Sequence, residues 1–151
     1  MPDVYDIISW RQGFIGVGAG TPTASNQTRA AKTELCAGAV LGSDWQATLR
    51  FDACFDNCTA TYCPQPAANY MTDAKAKSCA PPHTWTAIAA CRDGAQGTAL
   101  LTASLAEAQK LRVKEGPTTY INGKMVGHHP DAAMLQAICA AYTGTPPNGC
   151  T

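Results

Sequence analysis

The pattern of apolar and polar positions changes character along the chain. Val4 to Trp10 is crowded with β-branched and aromatic residues, and Phe14 to Val17 continues in that style after Gly13, which predicts one or two strands. Gly18 to Gln27, rich in Gly, Pro, Thr, Ser and Asn, reads as a loop. From Thr28 to Leu41, Ala, Leu, Cys and Val recur at three- and four-residue steps, a helix ended by Gly42. Ser43 with Gln46 forms a capping box, and Trp45, Leu49 and Ala53 then predict a second helix to about Asn57.

Cys63-Pro64-Gln65-Pro66 is a break, followed by a short helix over 67–76. Another helix is expected over 82–91, with Trp85, Ile88 and Ala89 on one face. Asp93-Gly94 then turns the chain into a long Ala/Leu helix over 98–111. The stretch 114–126 reads as strand, tight turn, strand. Asn122-Gly123 carries that reading, because a type I′ turn needs positive φ at both central residues. Pro117 opens the first of these strands, where its missing N–H costs nothing. A last helix is expected over 130–142, with Met134, Ile138 and Ala141 on one stripe and Gly144 as its C-cap.

Composition narrows the function classes. The 151 residues suffice for one compact domain with its own core, and neither a repeat nor a linker marks a second. Eleven Lys+Arg balance eleven Asp+Glu, which argues against a binder of nucleic acid or anionic membranes. Only 15% of residues are charged, while Ala and Thr number 27 and 17, a bias that changes little about function. No apolar run approaches the ~18 residues of a membrane span.

The eight cysteines are the most informative count: Cys36, Cys54, Cys58, Cys63, Cys79, Cys91, Cys139 and Cys150. Their spacing favours four disulfides over a zinc site, since no C-x-x-C occurs and no histidine stands at ligand spacing. Cys139 and Cys150 close a short loop, and Cys58-x4-Cys63 reads as a structural loop closure. Pairing requires an oxidising lumen: secretory, lysosomal, vacuolar or another disulfide-permissive organelle. The sequons Asn26-Gln27-Thr28 and Asn57-Cys58-Thr59 fit such a route. Neither a basic n-region nor an apolar h-region follows Met1, so the expectation is that either a targeting segment has been lost or Met1 is not the start of the gene product.

His128-His129 reads as a pair of solvated loop histidines, and Trp10, Trp45 and Trp85 as core or interface residues. No Ser/His/Asp set, phosphate loop or carboxylate pair stands out. No catalytic residue, cofactor or metal is therefore expected.

A helix, then Gly116-Pro117-Thr118-Thr119-Tyr120-Ile121-Asn122-Gly123-Lys124, then a terminal helix resembles the cis-proline half of a thioredoxin fold. The tail from Leu135 to Cys150 is similar to the Val-Cys-x-x-Tyr-x-Gly-x-x-Pro-x-x-Cys ending of the gamma-interferon-inducible lysosomal thiol reductase (GILT) family. Cys36, Cys54, Cys79 and Cys91 look like the four cysteines of that family's helical insertion.

The resemblance, over residues 32–150, implies an α/β, thioredoxin-like domain spanning 1–151. A disulfide-bonded helical insertion would occupy about 28–111, followed by a cis-proline hairpin and C-terminal helix. It implies weak substrate contacts at Gly116, Pro117 and Thr118, although a proline that merely fixes the hairpin is the reading favoured here.

The family's reductase chemistry needs a C-x-x-C at a helix N-terminus, and this sequence has none. The first strand is missing too, so a protein partner, a cleaved segment of the precursor or Val4–Trp10 is expected to fill its place. The expected function is a redox-silent, GILT-like structural or binding subunit. The alternative is a thiol–disulfide oxidoreductase whose C-x-x-C segment lies outside this chain.

Overall fold

A computed structural model of the chain describes residues 26–42, 44–57, 71–114, 118–127 and 131–150. Among them lie six helices and two short strands: α1 (Asn26–Leu41), α2 (Trp45–Asp56), α3 (Asp73–Cys79), α4 (Trp85–Asp93), α5 (Ala95–Lys110), β1 (Thr119–Ile121), β2 (Lys124–Gly127) and α6 (Asp131–Ala141). The described part is mostly helical, with a small two-stranded antiparallel sheet. The strands predicted over 4–10 and 14–17 fall outside it. The chain divides into two compact units, one of Met1–Trp10 with Val113–Thr151 and one of Arg11–Arg112.

In the unit of residues 11–112, α1 is the central helix and packs against α2, α4 and α5, while α3 lies on α2. Ala30, Cys36, Ala37, Phe51, Phe55, Ala76, Ile88 and Cys91 make the core, with Val40, Leu41, Met71, Trp85 and Leu100 packed around it. Small alanine and cysteine faces let the helices approach closely, and Phe51, Phe55 and Ile88 fill what remains. Phe51 and Phe55 stack at 5.6 Å between ring centroids. A core with so few large side chains buries modest apolar area, and covalent links make up the difference.

The helix ends show which local signals acted. Gly42 takes φ 63° and its N–H reaches the Gly38 carbonyl, closing α1 as expected. The cap of α2 is Asp44, whose carboxylate accepts from the Ala47 N–H at 2.8 Å. It takes the role that the Ser43–Gln46 pattern assigns to Ser43. Thr72 caps α3, which runs to Cys79, three residues beyond the predicted end. Helix α5 starts at Ala95, three residues before the predicted start, because Gly94 alone makes the corner after α4.

In the unit that includes residues 113–151, β1 and β2 form the expected hairpin. Asn122 has φ 49° and Gly123 φ 77°, as a type I′ turn requires. The register pairs Ile121 with Lys124 and Tyr120 with Met125, then slips by one at Thr119. Helix α6 packs on β1. It ends at Ala141, and Gly144 does not provide a left-handed cap. The Tyr142 ring lies over Gly144, with Cζ 2.6 Å from where a Cβ would stand, so a side chain there would have to turn that ring aside.

Candidate functional site

Any thiol chemistry in this chain must pass through its cysteines, and all six in the described residues are paired. Cys36 joins Cys91, Cys54 joins Cys79, and Cys139 joins Cys150. The first ties α1 to α4 through the core, where Cys36 is fully buried and Cys91 6% exposed. The second ties α2 to α3 and is nested inside the sequence loop of the first. The third folds the tail back on α6, where Pro147 is buried and the Cys150 N–H reaches the Pro147 carbonyl. Cys58 and Cys63 lie outside the described residues.

The placement of these cysteines on their helices bears on their chemistry. A reactive cysteine sits at a helix N-terminus, where the dipole and free N–H groups stabilise a thiolate. Cys36, Cys54, Cys79, Cys91 and Cys139 each lie in the second half of their helix. There the dipole disfavours a thiolate, and sulfur is held as disulfide.

A charge cluster joins three helices on the same unit. Arg92, only 3% exposed, donates from Nη1 to Asp73 at 2.7 Å and from Nη2 and Nε to Asp93 at 2.8 and 2.9 Å. Arg29 from α1 donates to the same two carboxylates, at 2.7 Å to Asp73 and 3.2 Å to Asp93. The Arg92 guanidinium also lies 5.4 Å from the centre of a Trp85 ring. Hydrogen bonds from Arg29 to Asp73 and from Arg92 to Asp93 hold both carboxyls below the usual carboxylate range. Two cations and two anions close into a clasp between the start of α1, the start of α3 and the end of α4.

Asp52 is the opposite case. It is 7% exposed on α2 between Phe51 and Cys54, and neither carboxyl oxygen has a hydrogen-bond partner. Burial, and then the charge of Asp56 one turn on, push its pKa up to about 7. A carboxyl in this setting is held as the neutral acid through most of the acidic range.

Compared with family models, curated proteins and solved structures, the chain matches none.

The residues singled out from sequence are described only in part. Gly116, Pro117, His128 and His129 lie outside the described residues, as does Trp10. Thr118 is half-buried just ahead of β1. Asn57 is exposed directly after α2, and Asn26 is the first residue of α1. Trp45 and Trp85, both half-buried, open α2 and α4. The pattern of residues missed Asp52 and the clasp. Asp52 shares an arc of α2 with buried Thr48, a position that the helical period alone marks as inward-facing. Arg29, Asp73 and Arg92 are too far apart in sequence for any local signal.

Proposed function

We propose that this chain is a redox-silent, disulfide-stapled structural or binding subunit of a larger assembly, working in an oxidising lumen. The observation that carries this reading is the position of the helical half-cystines, all in the second halves of their helices and all paired. Three disulfides among the described residues favour an oxidising compartment. Among the described residues no helix is long and apolar enough to cross a membrane.

A binding role has a further support in the hairpin unit. Met125 on β2 and Leu135 on α6 are the large hydrophobic residues left exposed among the described ones. A two-stranded hairpin is marginal by itself and gains from a further strand, whether from a partner or from a segment of the same precursor. The likeness to the GILT family, with its thioredoxin-like sheet, accommodates such a strand beside the hairpin.

The competing reading is a GILT-type thiol–disulfide oxidoreductase completed by a C-x-x-C segment outside this chain. It draws on the Asn122-Gly123 hairpin packed against α6, the arrangement that the cis-proline half of such an enzyme needs. One experiment separates the two. The natively purified chain is alkylated before and after reduction, weighed intact, and assayed for reduction of a disulfide-bonded protein substrate by a dithiol. Thiols that appear only after reduction, with no catalysed turnover, are expected. Turnover that is lost on alkylating any of the eight cysteines overturns the proposal.

A further inference from the structure

The helices of the unit of residues 11–112 fall into two stapled groups. Cys36–Cys91 ties α1 to α4, and α5 packs on both of them. Cys54–Cys79 ties α2 to α3. Among the described residues no disulfide crosses from one group to the other. The groups meet where α2 packs on α1, and at the clasp, where Asp73 of α3 is held by Arg29 and Arg92. The chain crosses this seam at residues 42–44 and 80–84. Each crossing holds a residue with left-handed backbone, Gly42 at φ 63° and His83 at φ 69°.

Asp52 lies on the α2 side of that seam. It follows Thr48 by one turn, and the Thr48 Cγ2 stands 3.6 Å from where a Cβ on Gly38 of α1 would be. Both Asp52 oxygens are shut away from water, and neither has a hydrogen-bond partner. No cation of the packed helices meets them. On α1, Arg29 is taken up by Asp73 and Asp93 and Lys32 by Thr98, while Glu34 is a second buried acid. On α3, Asp73 belongs to the clasp, and neither Lys75 nor Lys77 donates to Asp52. On α2 itself Asp56 adds like charge, and Arg50 is exposed.

We propose that ionisation of Asp52 opens the seam between α1 and α2, so that α2 and α3 swing out as a stapled pair while α1, α4 and α5 stay packed: a gate closed in acid and opening towards neutral pH. A carboxylate with no donor and no counter-charge is costly to keep buried, and the seam is the side of α2 that no described disulfide closes. Opening lets the proton pass to water and the anion become hydrated, and it bares Phe51 and Phe55. The clasp does not yield in this range, because hydrogen bonds from Arg29 and Arg92 keep Asp73 and Asp93 ionised. The pair therefore pivots at the start of α3. The gate is independent of which functional reading holds.

The test follows amide hydrogen exchange of the full chain, disulfides intact, by mass spectrometry between about pH 5 and 8, with each rate normalised to that of an unfolded peptide at the same pH. Protection of α2 and α3 should fall about tenfold per pH unit between about pH 5 and 6 and level off above about 7, while α1, α4 and α5 keep theirs. Asp52→Asn should abolish the fall. His83→Asn, which keeps a residue tolerant of the left-handed backbone in the second crossing, should leave it intact. Should Asp52→Asn not fold, the native chain supplies a second reading: an infrared carbonyl band of a protonated carboxyl that persists above about pH 5 and fades in step with the protection of α2 and α3. Equal loss across α1 to α5, protection that ignores pH, a fall that survives Asp52→Asn or needs His83, or the absence of that band overturns the proposal.

Discussion

The side-chain amide of Asn122 donates to the carbonyl oxygen of Ala141 at 3.3 Å. The residue whose left-handed backbone makes the hairpin turn therefore also closes the end of α6, where a helix leaves carbonyls unpaired. Turn chemistry and helix capping are joined in one side chain.

That double role can be separated. Asn122→Asp keeps a residue tolerant of positive φ but replaces the donor with an anion facing carbonyl oxygens. It should cost about 1–2 kcal/mol. Asn122→Gly keeps the turn and merely loses the bond, so it should cost less. Urea unfolding of both variants checks the order, and equal losses would mean that the anion at position 122 adds no repulsion beyond the lost bond to Ala141.

Asp52 makes stability depend on pH in a stated direction. Below the ordinary value of 3.8 both folded and unfolded chains hold its proton, and no penalty exists. As pH rises from there towards about 7 the unfolded chain gives up the proton while the folded one keeps it, so stability falls, then levels off. Asp73 and Asp93 act in the opposite sense, their contribution fading only as pH falls through their lowered values. The thermal midpoint should therefore peak at about pH 4. Asp52→Asn should flatten the fall on the alkaline side and raise the midpoint at about pH 8. An unchanged slope in that variant would sink the assignment.

Glycines in two helices should respond to alanine with opposite signs. At Gly38 in α1 a Cβ would meet the Thr48 Cγ2 at 3.6 Å, ordinary contact, so Gly38→Ala should stabilise by about 0.5–1 kcal/mol. At Gly97 in α5 the same atom would lie 2.7 Å from the Arg92 carbonyl oxygen and 2.8 Å from that of Cys91. Gly97→Ala should destabilise by about 1–3 kcal/mol by forcing α4 and α5 apart. Thermal midpoints of the pair give the answer directly.

The clasp predicts a coupling. Asp73→Ala leaves Arg92 held by Asp93 and should cost about 1 kcal/mol, since both carboxylates are half exposed. Removing both acids strands a guanidinium that is 3% exposed, and the double variant should lose more than the sum by about 1–3 kcal/mol. A double-mutant cycle in urea that adds up without excess would deny that the two acids share Arg92.

Accessibility orders the disulfides. Cys36–Cys91, with Cys36 fully buried, should be the last of the three described pairs to yield to a phosphine reductant under native conditions. It closes a separation of 55 residues and is worth about 4 kcal/mol on the chain-entropy argument, so its loss should unfold the helical unit. Timed reduction with differential alkylation reads the sequence of events, and early loss of Cys36–Cys91 would contradict the packing described here.

Local signals were legible wherever neighbours in sequence are also neighbours in space. The period of Thr28–Leu41, the breaks at Gly42 and Gly94 and the Asn122-Gly123 turn each depend on a few adjacent dihedrals, and each is found where the residues place it. Asp44 replacing Ser43 as a cap shows the same signals failing when two candidates compete within a few residues, and Gly144 takes no left-handed turn after α6.

What the sequence determined by itself was therefore the helices, the hairpin and the presence of a disulfide framework with no C-x-x-C. Only the tertiary structure decided which cysteines pair across α1–α4 and α2–α3, that Arg29, Asp73, Arg92 and Asp93 meet, and that Asp52 is shut away from both water and any partner. Those relationships join residues 19 to 64 positions apart, or depend on what covers a helix face. Backbone propensity acts over one or two turns, whereas burial and charge pairing are settled only when whole helices pack.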